Sequence, residues 1–188
     1  MCLTFKAQKV RSDSQALINT FSKHMADFYK QFSEQELDSI FTKCYYRLQL
    51  YCNDFKMMLE RNEKGKNDWV ATETYHVSIA SKNECSLFFQ TQQFKYLEAN
   101  GDSVSVFVNE NSWTDYFKDG TYSRLSLKRI NDADFELTFI ESNNSSRRNI
   151  SNAGDKYLYR ILEKSSRHYL MLVSIPNNPR RFQFKLYY

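Results

Sequence analysis

The sequence predicts an α+β protein, with an N-terminal helical hairpin packed on a strongly curved, roughly eight-stranded antiparallel sheet that forms a β-meander or a partly closed barrel. Up to residue 64 apolar side chains recur every three to four positions without any Gly or Pro, whereas after residue 67 they alternate at every second position. Aromatic residues make up 16% of the chain and Gly and Pro number only four and two, which is typical of long regular elements. We therefore expect one domain, 1–188, with the hairpin at 12–62 and the sheet at 69–188.

Two helices are predicted before the change of period. Ser12 or Asp13 can cap the first helix, which should end near Gln31. The sequence Ser33-Glu34-Gln35-Glu36 has the form of a capping box and predicts the start of a second helix there. The second helix carries an apolar stripe that continues to Leu59. Only one or two residues separate the two helices, which favours a hairpin over one long helix.

Alternation and turn residues predict the strands. Asn100-Gly101-Asp102 is the strongest hairpin signal, because Asn-Gly readily adopts the positive φ angles of a tight turn. Residues 111–120 have the pattern of a short helix, with Ser112 as its cap and Trp113 on its apolar side. The predicted strands are 69–79, 85–98, 103–109, 121–130, 135–141, 156–163, 168–175 and 181–187.

The central strands are apolar on both faces, so both faces must be covered, by the helices or by the far wall of a barrel. A pocket or groove between helices and sheet would be lined by aromatic side chains. The strand number and order resemble those of lipocalin-type barrels, which enclose a small apolar ligand. Their Gly-x-Trp sequence is missing, with Asp119-Gly120-Thr121-Tyr122 as the nearest approach, so the resemblance is one of strand number and order only. The residues predicted to line the pocket are Tyr75, Trp113, Tyr157, Tyr159 and Tyr169.

No sequence motif indicates a cofactor, a metal or a catalytic constellation. The spacings C-x-x-C and H-x-x-x-H, the P-loop and the G-x-S-x-G and G-x-G-x-x-G patterns do not occur, so we predict neither metal nor cofactor. Glu73 lies in phase with Ala71 and Tyr75 and is a weak candidate for an inward-facing catalytic acid. The leading hypothesis is a non-enzymatic binding or protein-interaction module that takes a small apolar ligand or a protein partner. An enzyme using an inward carboxylate is the alternative.

The basic excess lies near the C-terminus. The net charge is +4, and residues 119–188 contain 12 Lys and Arg against 7 Asp and Glu. Arg147 and Arg148 in a loop, together with Arg180 and Arg181 before the last strand, are expected to face solvent and to form a surface for an anionic partner. This is the weaker alternative function, with an acidic protein or nucleic acid as partner, and the lack of an RNP-type consensus disfavours nucleic acid. The sequence predicts no oligomeric state.

The cysteines indicate the cellular compartment in which the protein is expected. Cys44 and Cys52 lie eight residues apart on a predicted helix, about 12 Å along its axis, which is too far for a disulfide. We therefore expect reduced thiols and a cytoplasmic protein. No stretch has the length of a membrane span or of a signal peptide core. The alternative is a bacterial lipoprotein in mature form, anchored through Cys2, although no lipobox precedes that residue.

Overall fold

A computed structural model describes residues 1–8, 13–60, 68–98, 100–176, 178 and 180–188. The chain divides into two compact units, Met1–Lys64 and Gly65–Tyr188, and the predicted α+β class is confirmed. The predicted cap at Ser12, the end of the hairpin at residue 62 and the change of period at 64–67 lie outside the described residues. The assignment of both units to one domain stays a prediction.

The first unit is helical. Its capping box at Ser33 is confirmed, because the Ser33 amide donates to Glu36 Oε2 at 2.8 Å and Ser33 Oγ accepts from the Glu36 amide at 3.4 Å. The first predicted helix ends earlier than expected, at Met25, and the second is interrupted at Cys52. The elements are α1 (Cys2–Lys6), α2 (Asp13–Met25), a 3₁₀ turn (Phe28–Lys30), α3 (Glu34–Tyr51) and α4 (Asn53–Glu60).

A disulfide joins Cys2 to Cys52, with the two Cα atoms 5.4 Å apart. The prediction of reduced thiols is therefore wrong for this pair, while Cys44 and Cys85 are free. The sequence argument compared Cys44 and Cys52 on a single predicted helix. Cys2 lies on α1, a helix that was not predicted. Phe5 of α1 packs edge-on against Phe55 of α4 at 5.4 Å and brings the two cysteines together. The sulfur of Cys2 cannot carry a lipid thioether while it is in this disulfide.

The second unit is a closed eight-stranded antiparallel barrel with one extra strand. Each of the strands β2 to β9 pairs with the next, and β9 returns to β2 through Lys95 and Tyr187, while β1 pairs with β9. The elements are β1 (Val70–Thr72), α5 (Lys82–Gln90), β2 (Gln93–Leu97), β3 (Ser103–Val108), β4 (Ser112–Tyr116), β5 (Tyr122–Arg129), β6 (Asp134–Ser142), α6 (Ser145–Ile150), β7 (Lys156–Lys164), β8 (His168–Ser174) and β9 (Arg181–Tyr187).

Two strand assignments and one helix assignment are corrected by the structure. The predicted strand 85–98 begins as helix α5, whose capping box joins Ser81 and Glu84, and only its second part is β2. The predicted helix at 111–120 is instead strand β4, paired with β3 and β5 on either side. The predicted strand 69–79 is reduced to the three residues of β1. The other predicted strands in the described sheet are strands in the structure as well.

Helix α5 fills one end of the barrel interior with aromatic side chains. Phe88 stacks on Phe94 at 4.9 Å, and its ring lies 5.6 Å from Phe135 and 5.1 Å from Tyr169. These three partners are the second residues of β2, β6 and β8, which run in the same direction, so α5 packs where those strands begin. We call this the α5 end. The opposite end, where the β6–β7 connection carries α6, is the α6 end.

A polar cluster at the α6 end of the barrel

A carboxyl group and a hydroxyl group point into the barrel from neighbouring strands at the α6 end. Asp115 of β4 is 8% exposed and accepts a hydrogen bond from Trp113 Nε1 at 2.8 Å. Ser123, its register partner on β5, is 2% exposed, and its hydroxyl has no hydrogen-bond partner in the described part of the structure. Buried hydroxyl groups nearly always have such a partner, so Ser123 is an exception that calls for an explanation.

Helix α6 supplies a guanidinium group to the same end. Asn144 caps the helix by accepting from the Arg147 amide at 3.1 Å, which fixes the start of the helix. Arg147 donates from Nη2 to the Glu98 carboxylate and to the Tyr96 hydroxyl, the latter at 3.4 Å. The Arg147 guanidinium also lies 5.3 Å from the centre of the Phe117 ring. The arginine is thus held between α6 and the end of β2.

Aromatic rings form the walls beside these polar groups. The Trp113 ring lies 5.7 Å from Tyr159 and 6.2 Å from Phe135, and Phe135 stacks on Tyr159 at 5.4 Å. At the mouth of the α6 end the Tyr157 hydroxyl is 2.6 Å from Ser151 Oγ. We define the polar cluster as Tyr96, Glu98, Trp113, Asp115, Ser123, Arg147 and Tyr159.

Burial sets the protonation of the cluster. It raises the pKa of Asp115 to about 6, although the nearby Arg147 charge and the hydrogen bond from Trp113 act in the opposite direction. Burial, followed by the charge of Asp115, raises the pKa of the Tyr96 and Tyr159 hydroxyls, so both remain neutral near pH 7. For Arg147, burial alone would lower the pKa, but the surrounding groups raise it on balance. The arginine therefore stays charged, and Asp115 is the group that changes charge near neutrality.

Of the five predicted pocket residues, Trp113, Tyr157, Tyr159 and Tyr169 belong to the barrel interior or pack against it. Trp113 reaches it from strand β4 rather than from a helix. Tyr169 lies at the α5 end, where its hydroxyl donates to the Glu84 carbonyl at 3.1 Å. Tyr75 is exposed, and the guanidinium groups of Arg160 and Arg181 lie 4.4 and 5.6 Å from its ring centre. It therefore does not face the interior.

The candidate acid Glu73 is exposed to solvent, as are Ala71 and Tyr75, the residues in phase with it, so this side of the segment faces outward. Its main-chain carbonyl accepts from Arg181 Nη1 at 3.0 Å. The inward carboxylate is Asp115, which the sequence analysis missed because a helix was predicted over residues 111–120. The alternation of Ser112, Trp113, Thr114 and Asp115 is the signal that could have found it.

The four arginines predicted to share a solvent-facing surface do not do so. Arg147 enters the polar cluster and Arg180 is buried at 9% exposure, whereas Arg148 is exposed and Arg181 is half-buried. The prediction of exposure is therefore wrong for Arg180, while the Arg147 side chain is partly exposed and bonded to Glu98. Loop arginines usually face solvent, and the short helix α6 that turns Arg147 inward was not predicted.

A concave surface, a groove of about 590 Å³, lies on the helical unit between α2 and α3. Its described lining contains no charged side chain and therefore offers shape without a charge that selects a partner. The lining residues are Leu17, Ile18, Phe21, Ser22, Tyr29, Phe41, Thr42, Tyr45 and Tyr46. The polar cluster combines burial, charge and a hydroxyl group without a hydrogen-bond partner, and it is the stronger candidate for a functional site.

The comparisons with known proteins give no match, whether to family models, to curated proteins or to solved structures. Among the described residues, none of the helices is long and apolar enough to cross a membrane, and no group of three or more His, Cys, Asp or Glu side chains is placed to hold a metal ion. Fold and site define a closed eight-stranded antiparallel barrel with a polar cluster inside one end.

Proposed function

We propose that the chain is a non-enzymatic binding module whose barrel receives a small molecule at its α6 end. The observation that carries the proposal is the buried Ser123 hydroxyl, which lacks a hydrogen-bond partner beside Asp115, a carboxyl with a raised pKa. An unsatisfied buried hydroxyl costs about 1–3 kcal/mol. A barrel interior that served stability alone would have apolar side chains at both positions. Polar groups that converge between aromatic walls are typical of ligand sites.

One ion pair of the cluster is partly exposed to solvent. The side chains of Arg147 and Glu98, which join α6 to the end of β2, are 32% and 30% exposed. The ion pair therefore lies at the surface above Asp115 and Ser123, which are themselves buried. A small molecule would enter beside this pair, while α5 and its phenylalanines fill the other end of the barrel.

The replacement Ser123→Ala tests this proposal. Its matched control is Ser126→Ala, on the outward-facing side of the same strand between buried Leu125 and Leu127. Native mass spectrometry identifies small molecules that co-purify with the full chain, and Trp113 fluorescence in a Trp69→Phe background reports their binding. We expect Ser123→Ala to be as stable as the parent chain or more so, and to bind about tenfold more weakly, since a hydrogen bond is worth about 1 kcal/mol or more.

Two outcomes would contradict the proposal. One is that Ser123→Ala and Ser126→Ala bind the co-purified molecule equally well. The other is that no small molecule co-purifies or changes the Trp113 fluorescence and that Ser123→Ala only stabilises the chain, in which case the cluster holds water alone.

An enzyme that uses Asp115 is a second candidate, favoured by the pKa of about 6, which is close to the value that suits a general acid or base at neutral pH. It predicts that the bound molecule is converted over time and that Asp115→Asn binds without converting it. Mass spectrometry of the ligand before and after incubation separates the two candidates.

A further inference from the structure

We propose that the ligand of the polar cluster is a protonated primary amine with an apolar or aromatic body. This inference rests on the proposed function and names its ligand class. It follows from the charges and hydrogen-bonding groups that surround Asp115.

The charges of the cluster do not cancel. Arg147 is paired with Glu98, so these two charges offset each other, and the ionised carboxylate of Asp115 remains as one uncompensated negative charge. The groups that face Asp115 from the elements around it are the Trp113 indole on its own strand, the hydroxyls of Ser123, Tyr96 and Tyr159, the apolar Val106 on β3, and the Arg147–Glu98 pair. One positive charge brought by a ligand would make the cluster neutral.

The hydrogen-bonding groups favour an ammonium over other cations. A primary ammonium has three N–H donors, which can serve the Asp115 carboxylate, the Ser123 hydroxyl and one tyrosine hydroxyl. A quaternary ammonium has no N–H donor and would leave the Ser123 hydroxyl without a partner. The Trp113 and Tyr159 rings contact each other, with centres 5.7 Å apart, and make the surroundings aromatic, which suits both a cation and an apolar body.

Other ligand charges fit less well. An anion would meet Asp115 at close range, and the nearest cation, Arg147, is already bonded to Glu98. A neutral molecule would leave the buried carboxylate without a counter-charge, so it would bind best when Asp115 is protonated. The three ligand classes thus predict different pH dependences: the amine gains affinity on ionisation of Asp115, whereas the neutral molecule and the anion lose it.

Three probes of similar size and different charge test the inference: phenethylamine, phenethyl alcohol and hydrocinnamate. Each is titrated against the full chain by calorimetry at about pH 5 and about pH 7.5. Since Asp115 titrates at about pH 6, we expect the amine to bind about tenfold more tightly at the higher pH, in proportion to the ionised fraction. Asp115→Asn should weaken amine binding by at least about tenfold and remove its pH dependence. Glu141→Gln, which alters an exposed acid on β6, is the control and should change neither.

The outcomes separate the inference from the function on which it rests. The amine inference is overturned if phenethyl alcohol or hydrocinnamate binds as tightly as the amine or more tightly. If Ser123→Ala weakens that binding, the proposed binding function of the barrel is still supported. If none of the probes or co-purified molecules binds, the proposed function is overturned as well. If Asp115→Asn does not fold, the pH dependence of binding to the native chain provides the test. The inference is overturned if the affinity for phenethyl alcohol rises with pH as the affinity for phenethylamine does.

Discussion

Asp115 is buried where its charge opposes folding. It accepts a hydrogen bond from the Trp113 indole, whereas the nearby guanidinium of Arg147 is bonded to Glu98. Burial therefore outweighs both favourable interactions and raises the pKa to about 6. A side chain that is unfavourable for stability in the free protein becomes favourable once a ligand supplies its counter-charge, which is a common relation between stability and function.

This position makes stability depend on pH in a direction that can be checked. The pKa of Asp115 is higher in the folded state than in the unfolded state, so the folded chain binds the proton more tightly. The resulting stabilisation is complete below about pH 4 and is lost as pH rises through about 6. Between these limits the free energy of unfolding of the parent chain, measured with urea, should fall by on the order of 3 kcal/mol relative to that of Asp115→Asn. This corresponds to about 1.4 kcal/mol per pH unit. Parallel pH profiles for the two chains would refute the assignment.

Among the elements, some helix starts and turns could be predicted from the local sequence, whereas other local signals were missed. The capping box at Ser33 and the turn at Gly101, with φ of 86°, are local and were predicted correctly. The same Ser-x-x-Glu pattern at Ser81 was overlooked, because adjacent apolar residues in 85–98 suggested a strand. Strand β4 is a different case, since it pairs with its sequence neighbours β3 and β5 but its inward side includes the polar Asp115, which weakens the alternation of apolar residues.

The candidate site shows the same division. Trp113 and Tyr159 were predicted as lining residues, because large aromatic side chains on strands must be buried somewhere. The alternation over residues 112–115 could have indicated Asp115, whereas its position beside Ser123 follows only from the strand pairing. Arg147 was assigned to the surface, since its inward direction depends on the short helix α6 and on its pairing with Glu98.

The link between α1 and the end of α3 yields a prediction for the helical unit. The Cys2–Cys52 disulfide closes a loop with a sequence separation of 50, and cross-links over loops of this size contribute about 4 kcal/mol. Cys2→Ser should lower the urea stability of the helical unit by about 2–4 kcal/mol, whereas Cys44→Ser, at a free and half-buried cysteine, should have a smaller effect. Mass spectrometry after alkylation of the unfolded chain should find two modified thiols without reductant and four with it. Four without reductant would show that the disulfide is absent.

At the scale of the molecule, the barrel closes through a narrow seam. Strand β9 pairs with β8 along seven residues but with β2 only at Lys95 and Tyr187. Trp69, which precedes β1, covers this seam by stacking on Phe184 at 4.4 Å and donating from Nε1 to the Leu97 carbonyl at 2.7 Å. Together with β1 it protects an edge that would otherwise be open to pairing with other chains.

All of these closing interactions lie within Gly65–Tyr188, so this segment should fold without the helical unit. The two units have separate clusters of buried residues, and the barrel has its own aromatic core. We expect the purified segment to give dispersed amide signals in NMR, a cooperative thermal transition, and binding within about twofold of the full chain for any ligand of the polar cluster. The matched comparison is the same segment with Trp69→Ala, which should unfold at a lower temperature because the seam loses its cover. A segment that is unfolded alone, and that folds only when linked to residues 1–64, would instead support the single domain predicted from the sequence, in which each part covers apolar surface of the other.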